Sequence, residues 1–237
     1  MTATILPSLL ISEDTLTNIV GCLNLQNPLI IVDFFNYPAF SNLPNVVQIN
    51  SMHEVEVENV LTNYDFTDVV GIGGCTALDF AKILGSSKGN VYLCPSILST
   101  SCISNNKSIL YGETTKSTII TSVPKKVIVS YPQLENTPPK LVTKWCHSGL
   151  GDLFGNISAS IDYLSRKSLL NYDEKVLREL TIDAFSALDW INKYFQCFNR
   201  DGLRRLATHL HGSGVKEILR GNSELNASGE HELYYSL

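Results

Sequence analysis

The sequence predicts an α/β protein in which a parallel-sheet domain at the N-terminus is followed by an all-helical domain. Three features of the 237-residue chain predict this fold class. Short apolar runs rich in β-branched residues alternate with amphipathic segments, a glycine-rich turn connects one such run to a helix, and the periodicity beyond Asn136 is helical throughout. We therefore predict two domains, at residues 1–134 and 135–237.

The N-terminal domain is predicted from its alternation of strands and helices. Strands are predicted at Leu29–Phe34, Val46–Ile49, Phe66–Ile72 and Asn90–Cys94, and helices between Met52 and Tyr64 and at Thr76–Leu84. Strands that alternate with helices in this way form parallel sheets. We expect three later runs to extend or cap the sheet, at Ser108–Tyr111, Thr118–Thr121 and Lys126–Ser130.

The chain beyond Asn136 is predicted to be helical. Thr137 precedes two prolines, which is typical of a helix start because proline is tolerated in the first turn. Apolar residues then recur every three or four positions in Leu141–Ile161, Glu174–Phe195 and Leu203–Leu219, with local interruptions at glycines 149, 151, 212 and 214. Two such domains imply a cleft between them, where ligand sites usually lie.

Composition and charge exclude several classes of partner. The net charge of −5 and the pI of about 5.5 give no basic patch for nucleic acid or for an anionic membrane surface. The N-terminus has no basic lead-in and the chain has no stretch of about 18 apolar residues, so we predict a soluble, cytoplasmic protein. Six cysteines without a C-x-x-C pair favour reduced thiols. A homo-oligomer and a complex with a partner subunit both stay open.

The most informative local pattern is the segment Val69–Lys82, with the sequence VVGIGGCTALDFAK. It predicts a strand, a tight turn and a helix, in which the glycines let the backbone approach an anion and the first N–H groups of the helix face it. Thr76 stands where the G-x-G-x-x-G dinucleotide motif has its third glycine. The spacing alone therefore leaves open a nucleotide site and a purely structural turn.

Three further segments combine with the glycine turn. They are CPSILSTS at Cys94–Ser101, SGLGDL at Ser148–Leu153 and ASGEH at Ala227–His231. In this order the four segments resemble the glycerol-1-phosphate dehydrogenase branch of the iron-containing alcohol dehydrogenase and dehydroquinate synthase superfamily, from about Leu29 to Leu237. The resemblance implies a Rossmann-like domain that binds NAD or NADP. It also implies a dehydroquinate synthase-like helical domain that holds a divalent metal, commonly zinc, beside a small-molecule substrate.

The resemblance also implies which residues bind the dinucleotide. Asp33 would accept hydrogen bonds from the adenosine ribose, which suits an acceptor-only carboxylate; the alternative is a structural aspartate at a strand end. The other implied contacts are Gly73, Gly74 and Cys75 at the pyrophosphate, Asp79 in the first turn of the helix, and the hydroxyls of Ser96 and Ser99. Cys75 replaces a glycine of the family and narrows the room for phosphate. Ser96 and Ser99 are also consistent with a serine-rich turn.

Two residues coincide with metal ligands of the family, Asp152 and His231. Both groups suit zinc, although Asp152 could instead cap a helix and His231 could be an ordinary residue near the terminus. Asp152 also belongs to the implied substrate site with Ser101, which replaces a family aspartate. The family's third ligand histidine belongs to a later helix beyond Leu237, and catalytic zinc normally has three protein ligands. We therefore expect a metal that is weakly held or lost, in a fragment of a longer product or in a degenerate member.

Three functions are consistent with these residues, and the sequence assigns no catalytic side chain. The first is a metal-assisted, NAD(P)-dependent oxidoreductase that acts on a small polyol phosphate, a substrate class implied by the resemblance. The second is a dehydroquinate-synthase-like lyase, which uses the dinucleotide transiently. The third is a non-catalytic nucleotide-binding or partner protein, which is favoured by Ser101, by Tyr235 in place of a family histidine and by the missing third ligand.

Overall fold

A computed structural model describes residues 5–165, 174–194 and 199–221. The described parts of Met1–Ile97 and Cys102–Val142 form one compact unit, and those of Leu98–Ser101 and Thr143–Leu237 form a second. All described strands lie in the first unit, whereas the second unit consists of helices and the Leu98–Ser101 segment. The domain division predicted at residues 134 and 135 stays a prediction.

The first unit is built on a six-stranded parallel sheet. The described strands are β1 (Ser8–Ser12), β2 (Pro28–Val32), β3 (Val46–Gln48), β4 (Asp68–Gly73), β5 (Asn90–Pro95), β6 (Lys107–Tyr111), β7 (Lys116–Ile120) and β8 (Lys126–Ser130). The sheet has the order β1-β8-β5-β4-β2-β3, and every neighbouring pair is parallel. Strands β2, β4 and β8 are buried over all or all but one of their residues, as in sheets covered on both faces. The predicted α/β fold class is confirmed.

Strands β6 and β7 form a separate antiparallel hairpin. Their register pairs Lys107 with Ile120 and Tyr111 with Lys116. In the turn between them, Gly112 N–H donates to Thr115 O at 2.9 Å. Such a short turn reverses the chain, whereas a parallel pairing needs a long crossover. The expected extension of the sheet therefore comes from β8, which lies between β1 and β5.

The described helices of the first unit cover the sheet. They are α1 (Leu16–Cys22), α2 (Tyr37–Phe40), α3 (Glu54–Asn63), α4 (Cys75–Lys88) and α5 (Tyr131–Glu135). Thr15 caps α1 by accepting a hydrogen bond from Asn18 N at 3.4 Å, and Ser130 caps α5 by accepting one from Gln133 N at 3.3 Å. Helix α4 packs on β4 and β5. The apolar core between the sheet and helices α1 and α2 includes Ile30, Val32, Val70, Ile72 and Phe40.

Three helices follow: α6 (Pro139–Ser165), α7 (Glu174–Tyr194) and α8 (Arg200–Arg220). Both α6 and α8 continue through the glycines that were expected to interrupt them. At the ends of α8, Asn199 Oδ1 accepts a hydrogen bond from Gly202 N at 2.9 Å, and Gly221 adopts a φ of 72°. No helix in the described part of the chain combines the length and the apolar character that a membrane span requires.

Candidate functional site

The glycine turn lies between β4 and α4, at the carboxyl edge of the sheet. Strand β4 ends at Gly73 and α4 begins at Cys75, so Gly74 is the N-cap residue and makes no side-chain cap. The first N–H groups of a helix have no acceptor within the helix, and together with the helix dipole they favour an anion. Ligands of parallel α/β sheets bind at this edge.

Gly73 occupies a position that excludes other residues. Its φ of 144° is one that L side chains rarely adopt. A Cβ at this position would also overlap Asp33 Oδ2. The turn therefore needs glycine at position 73 both for its backbone and for its contact with the carboxylate.

The Asp33 carboxylate organises the turn from the end of β2. Its Oδ2 accepts a hydrogen bond from Gly74 N at 3.1 Å, and its Oδ1 accepts two from Asn36, from N at 3.0 Å and from Nδ2 at 2.7 Å. A carboxylate accepts about four hydrogen bonds, so Oδ2 retains capacity for a ligand hydroxyl. The structure shows the strand-end role of Asp33, and its ribose contact stays a prediction.

Cys75 is the first residue of α4 and is half-buried. Its Sγ accepts a hydrogen bond from Cys102 Sγ at 3.2 Å. This hydrogen bond, followed by burial, raises the pKa of the Cys102 thiol well above its ordinary value. The cysteine that replaces the family glycine thus belongs to a pair of thiols at the start of α4.

Asp79 lies one turn into α4 and is buried. Its Oδ1 forms an ion pair with Lys82 Nζ at 2.8 Å, and its Oδ2 accepts a hydrogen bond from Ile109 N at 3.2 Å. The fully buried Lys82 also donates to Cys102 O at 3.1 Å and to Asn105 Oδ1 at 3.0 Å. Asp79 therefore connects α4 to the β6–β7 hairpin, and its predicted cofactor contact stays a prediction.

The two predicted cofactor serines fall in different units. Ser96 N donates to Gly73 O at 3.0 Å, which places the residue after β5 beside the glycine turn. Ser99 belongs to the second unit and is half-buried there. The structure therefore brings Ser96 to the turn, and the hydroxyl contacts of both serines with a cofactor stay predictions.

Asp152 lies in the middle of α6 and contacts the Leu98–Ser101 segment of the same unit. Its Oδ1 accepts a hydrogen bond from Thr100 Oγ1 at 3.2 Å, and its Oδ2 accepts one from Ser101 N at 2.8 Å. Ser101 begins a short 3₁₀ turn, so the carboxylate caps this turn and not α6, which begins at Pro139. The structure thus brings together the two predicted substrate residues, Ser101 and Asp152.

Gly149 allows α6 to pack closely on the same segment. A Cβ at this position would overlap Leu98 O and would lie 3.3 Å from Leu210 Cδ1. The SGLGDL segment therefore has a packing role that its helical periodicity did not show, because the contact partner is distant in sequence.

The predicted metal site lies only partly within the described chain. Asp152 is described, whereas His231 lies outside the described residues. Within residues 5–165, 174–194 and 199–221, no group of three or more histidine, cysteine, aspartate or glutamate side chains is placed to hold a metal ion. The described residues do not form a metal site by themselves, and the pair of Asp152 and His231 stays a prediction.

The sequence motifs did not identify three residues of these networks: Asn36, Lys82 and Thr100. Two of them could have been found from their spacing in the sequence. Asn36 follows Asp33 by three residues, the spacing at which an aspartate accepts from the local backbone in a turn, and Lys82 follows Asp79 by three residues on one helix face. Thr100 leaves no signal, because its partner Asp152 is 52 residues away.

Comparisons with known proteins find similar sequences and structures, although no protein-family model matches the chain. The glycerol-1-phosphate dehydrogenase (NAD(P)+) of Methanococcus maripaludis is 25% identical over 226 residues, covering 92% of this chain and 63% of that enzyme. A probable glycerol dehydrogenase from Sinorhizobium meliloti has a similar structure, with a TM-score of 0.70, 15% identity and coverage of 93% and 66% of the two chains. An iron-containing alcohol dehydrogenase from Corynebacterium glutamicum gives a TM-score of 0.66, with 14% identity and coverage of 95% and 64%.

The chain therefore spans less than two thirds of the length of these relatives. The sequence similarity covers both the glycine turn and the Asp152 segment, because it includes nearly the whole chain. The chain is therefore similar in sequence to glycerol-1-phosphate dehydrogenases, and it has the fold of the glycerol dehydrogenase and iron-containing alcohol dehydrogenase structures.

Proposed function

We propose that this chain binds a nicotinamide dinucleotide at Gly73–Cys75 and acts as an NAD(P)-dependent oxidoreductase on a small polyol phosphate. The observation that carries the proposal is the turn itself: a glycine that the backbone requires, at the carboxyl edge of a parallel sheet, directly before a helix N-terminus. The sequence similarity to glycerol-1-phosphate dehydrogenases supports the substrate class.

The residues of the turn fit a pyrophosphate bound through backbone groups. Gly74 precedes α4 without a side chain, and the N–H groups of the first helical turn, which have no acceptor within the helix, suit an anionic pyrophosphate. The Asp33 carboxylate holds Gly74 N and retains acceptor capacity on Oδ2, which suits a ribose hydroxyl. These two features support a diphosphate at the helix N-terminus and the adenosine side of the ligand at the end of β2.

The second unit supplies the candidate substrate group. Asp152 accepts hydrogen bonds from Thr100 and Ser101, so its carboxylate is held in one orientation by two donors. A carboxylate held in this way suits substrate hydroxyl groups, because it only accepts hydrogen bonds. When bound, the nicotinamide supplies the chemistry by exchanging a hydride with a substrate carbon. The chain itself binds and orients the two reactants.

The test combines binding and turnover in the purified chain. NADH and NADPH are titrated by calorimetry, with and without added Zn²⁺, and dihydroxyacetone phosphate is then added while the absorbance of the reduced nicotinamide is followed. The proposal expects saturable dinucleotide binding and loss of reduced nicotinamide that depends on dihydroxyacetone phosphate. The absence of dinucleotide binding would overturn the proposal. Binding without turnover would retain the nucleotide site and overturn the oxidoreductase activity.

A further inference from the structure

Two thiols from distant parts of the chain meet at the start of α4. Cys75 and Cys102 are 27 residues apart, yet their Sγ atoms lie 3.2 Å from each other. Both residues are half-buried, which leaves part of each accessible to a small reagent. The other described cysteines differ, because Cys22 is exposed and Cys94 and Cys146 are buried.

The fold holds the two sulfur atoms in this position. Cys75 is fixed as the first residue of α4, and the backbone of Cys102 is held by Lys82, which donates to Cys102 O at 3.1 Å. Lys82 is itself fixed by its ion pair with Asp79 at 2.8 Å. The sulfur atoms of a disulfide are about 2.05 Å apart, so a shift of roughly 1 Å would join them.

The two cysteines differ in their chemistry. Cys102 Sγ donates its hydrogen to Cys75 Sγ, and Cys75 lies at a helix N-terminus, where the dipole favours a negative charge. The same hydrogen bond, followed by burial, raises the pKa of the Cys102 thiol. Cys75 is therefore the attacking sulfur of the pair, and Cys102 is the resolving sulfur.

We propose that Cys75 and Cys102 form a redox-active pair that low-molecular-weight disulfides oxidise to an intrachain disulfide. The Cys75 thiolate attacks the external disulfide, whose S–S bond breaks as a mixed disulfide forms on Cys75 and one thiolate leaves and takes up a proton. Cys102 loses its proton and attacks Cys75 Sγ, which forms the Cys75–Cys102 bond and releases the second external thiol. The two protein sulfurs are oxidised by two electrons, and the external disulfide is reduced to two thiols.

A bound dinucleotide also protects the pair from oxidation, an extension that rests on the proposed function. Cys75 directly follows Gly73 and Gly74, so a pyrophosphate bound at the helix N-terminus covers the approach to its sulfur. A bound dinucleotide should therefore slow the attack of Cys75 on an external disulfide. Oxidation of the pair thus reports whether the site is occupied.

The first experiment identifies the disulfide without any nucleotide. The fully reduced chain is incubated with oxidised glutathione, the remaining thiols are alkylated, and the protein is digested for mass spectrometry. We expect loss of two hydrogen atoms from the intact mass and a peptide pair that contains the Cys75–Cys102 bond. Cys22→Ser is the matched control and should form the same bond, whereas Cys75→Ser and Cys102→Ser should not.

The outcomes separate the disulfide from other reactions. In Cys102→Ser, Cys75 should retain glutathione as a stable mixed disulfide, because the resolving thiol is absent. A predominant bond to another cysteine would overturn the proposal. The proposal would also be overturned if both thiols survive at a ratio of oxidised to reduced glutathione that fully oxidises dithiothreitol. Circular dichroism of each variant confirms that the comparison is made on folded protein.

The second experiment tests the link to the nucleotide site. Oxidation by glutathione is timed with and without NADH at a saturating concentration, and adenosine serves as the control ligand without a pyrophosphate. We expect NADH to slow formation of the disulfide at least about fivefold and adenosine to leave it unchanged. Equal rates in a chain that demonstrably binds NADH would overturn the link. A chain that forms the disulfide but does not bind NADH would retain the redox pair while the proposed function fails.

Discussion

Two carboxylates, Asp33 in the first unit and Asp152 in the second, perform the same structural task in surroundings that differ. Each accepts a backbone N–H from a turn, Gly74 N in one case and Ser101 N in the other. Around Asp33, the described first unit also supplies the required glycine and the helix N-terminus of the candidate nucleotide site. Around Asp152, the second predicted metal ligand, His231, lies outside the described residues.

The difference teaches that the two halves of the proposed function can be separated. The proposed dinucleotide contacts at Asp33, Gly74 and the start of α4 lie within the first unit, whereas the predicted substrate contact of Asp152 and the predicted cofactor contact of Ser99 lie in the second. The comparison also shows that each of these carboxylates has a structural role within its own unit. Both aspartates fix a turn of their own chain by accepting a hydrogen bond from its backbone.

The largest expected effect concerns the buried cation that supports the first unit. Lys82→Met should lower the free energy of unfolding by about 3–5 kcal/mol, because it leaves the buried Asp79 carboxylate without its charge partner. The measurement is urea denaturation followed by circular dichroism, with the exposed Lys125→Met as the control. The double variant Asp79→Asn, Lys82→Met should recover part of the loss. A change below about 1 kcal/mol in the single variant would contradict the ion pair's importance.

The next effect concerns the turn. Gly73→Ala should destabilise the chain by about 1–3 kcal/mol, because the backbone conformation is unfavourable for alanine, and should weaken dinucleotide binding by more than about tenfold. Gly21→Ala is the matched control, since a Cβ there meets nothing within 4 Å and α1 favours alanine over glycine. Calorimetry with NADH gives both affinities. If Gly73→Ala binds NADH as tightly as the parent chain does, the turn has only a structural role. The proposed difference between the two units in dinucleotide binding is then wrong.

The sequence could predict the turn but not the networks around it. Strands β2 and β4 are apolar on both faces, so a run of β-branched residues identifies them without knowledge of their neighbours. Strand β1 was missed because its position depends on a strand more than 100 residues away in the sequence. It pairs with β8, and Ser130 Oγ donates to Asp14 O at 2.7 Å across 116 residues. Local periodicity carries no information about such a contact.

The same limit applies to side-chain roles. The family motif predicts that Asp79 lies near the cofactor, but the direction of its carboxylate is set by Ile109 N, on a hairpin 30 residues away. The spacing of Asp79 and Lys82 is readable on a helix, whereas the burial of Lys82 is not. Motifs therefore identify which residues are near the site, and the folded chain decides which partner each one takes.

A paired substitution tests the separation of the two halves directly. Asp33→Asn should weaken dinucleotide binding about fivefold, which corresponds to roughly 1 kcal/mol, because the charge-assisted hydrogen bond to Gly74 N becomes a neutral one. Asp152→Asn removes the corresponding charge at Ser101 N and should leave that affinity unchanged while lowering turnover. Both affinities are measured by calorimetry. Equal losses of dinucleotide affinity in the two variants would show that the carboxylates do not act independently.

The smallest effect is an acid sensitivity of the second unit. Burial lowers the pKa of His211, on α8, below its ordinary value of 6.5. As pH falls through 6.5, the unfolded chain binds more protons than the folded chain, so stability is complete above 6.5 and decreases below it. Both tryptophans, Trp145 and Trp190, belong to the second unit, so thermal melts followed by their fluorescence report on it.

His211→Gln should flatten this pH dependence, because glutamine does not titrate, and His53→Gln in the first unit should leave it in place. An unchanged acid slope in His211→Gln would assign the effect to other groups. NADH affinity should not follow the His211 transition, because the proposed contacts of the dinucleotide are with Asp33, Gly74 and the start of α4 in the first unit. Affinity that falls together with the tryptophan signal would instead show that the second unit supports nucleotide binding.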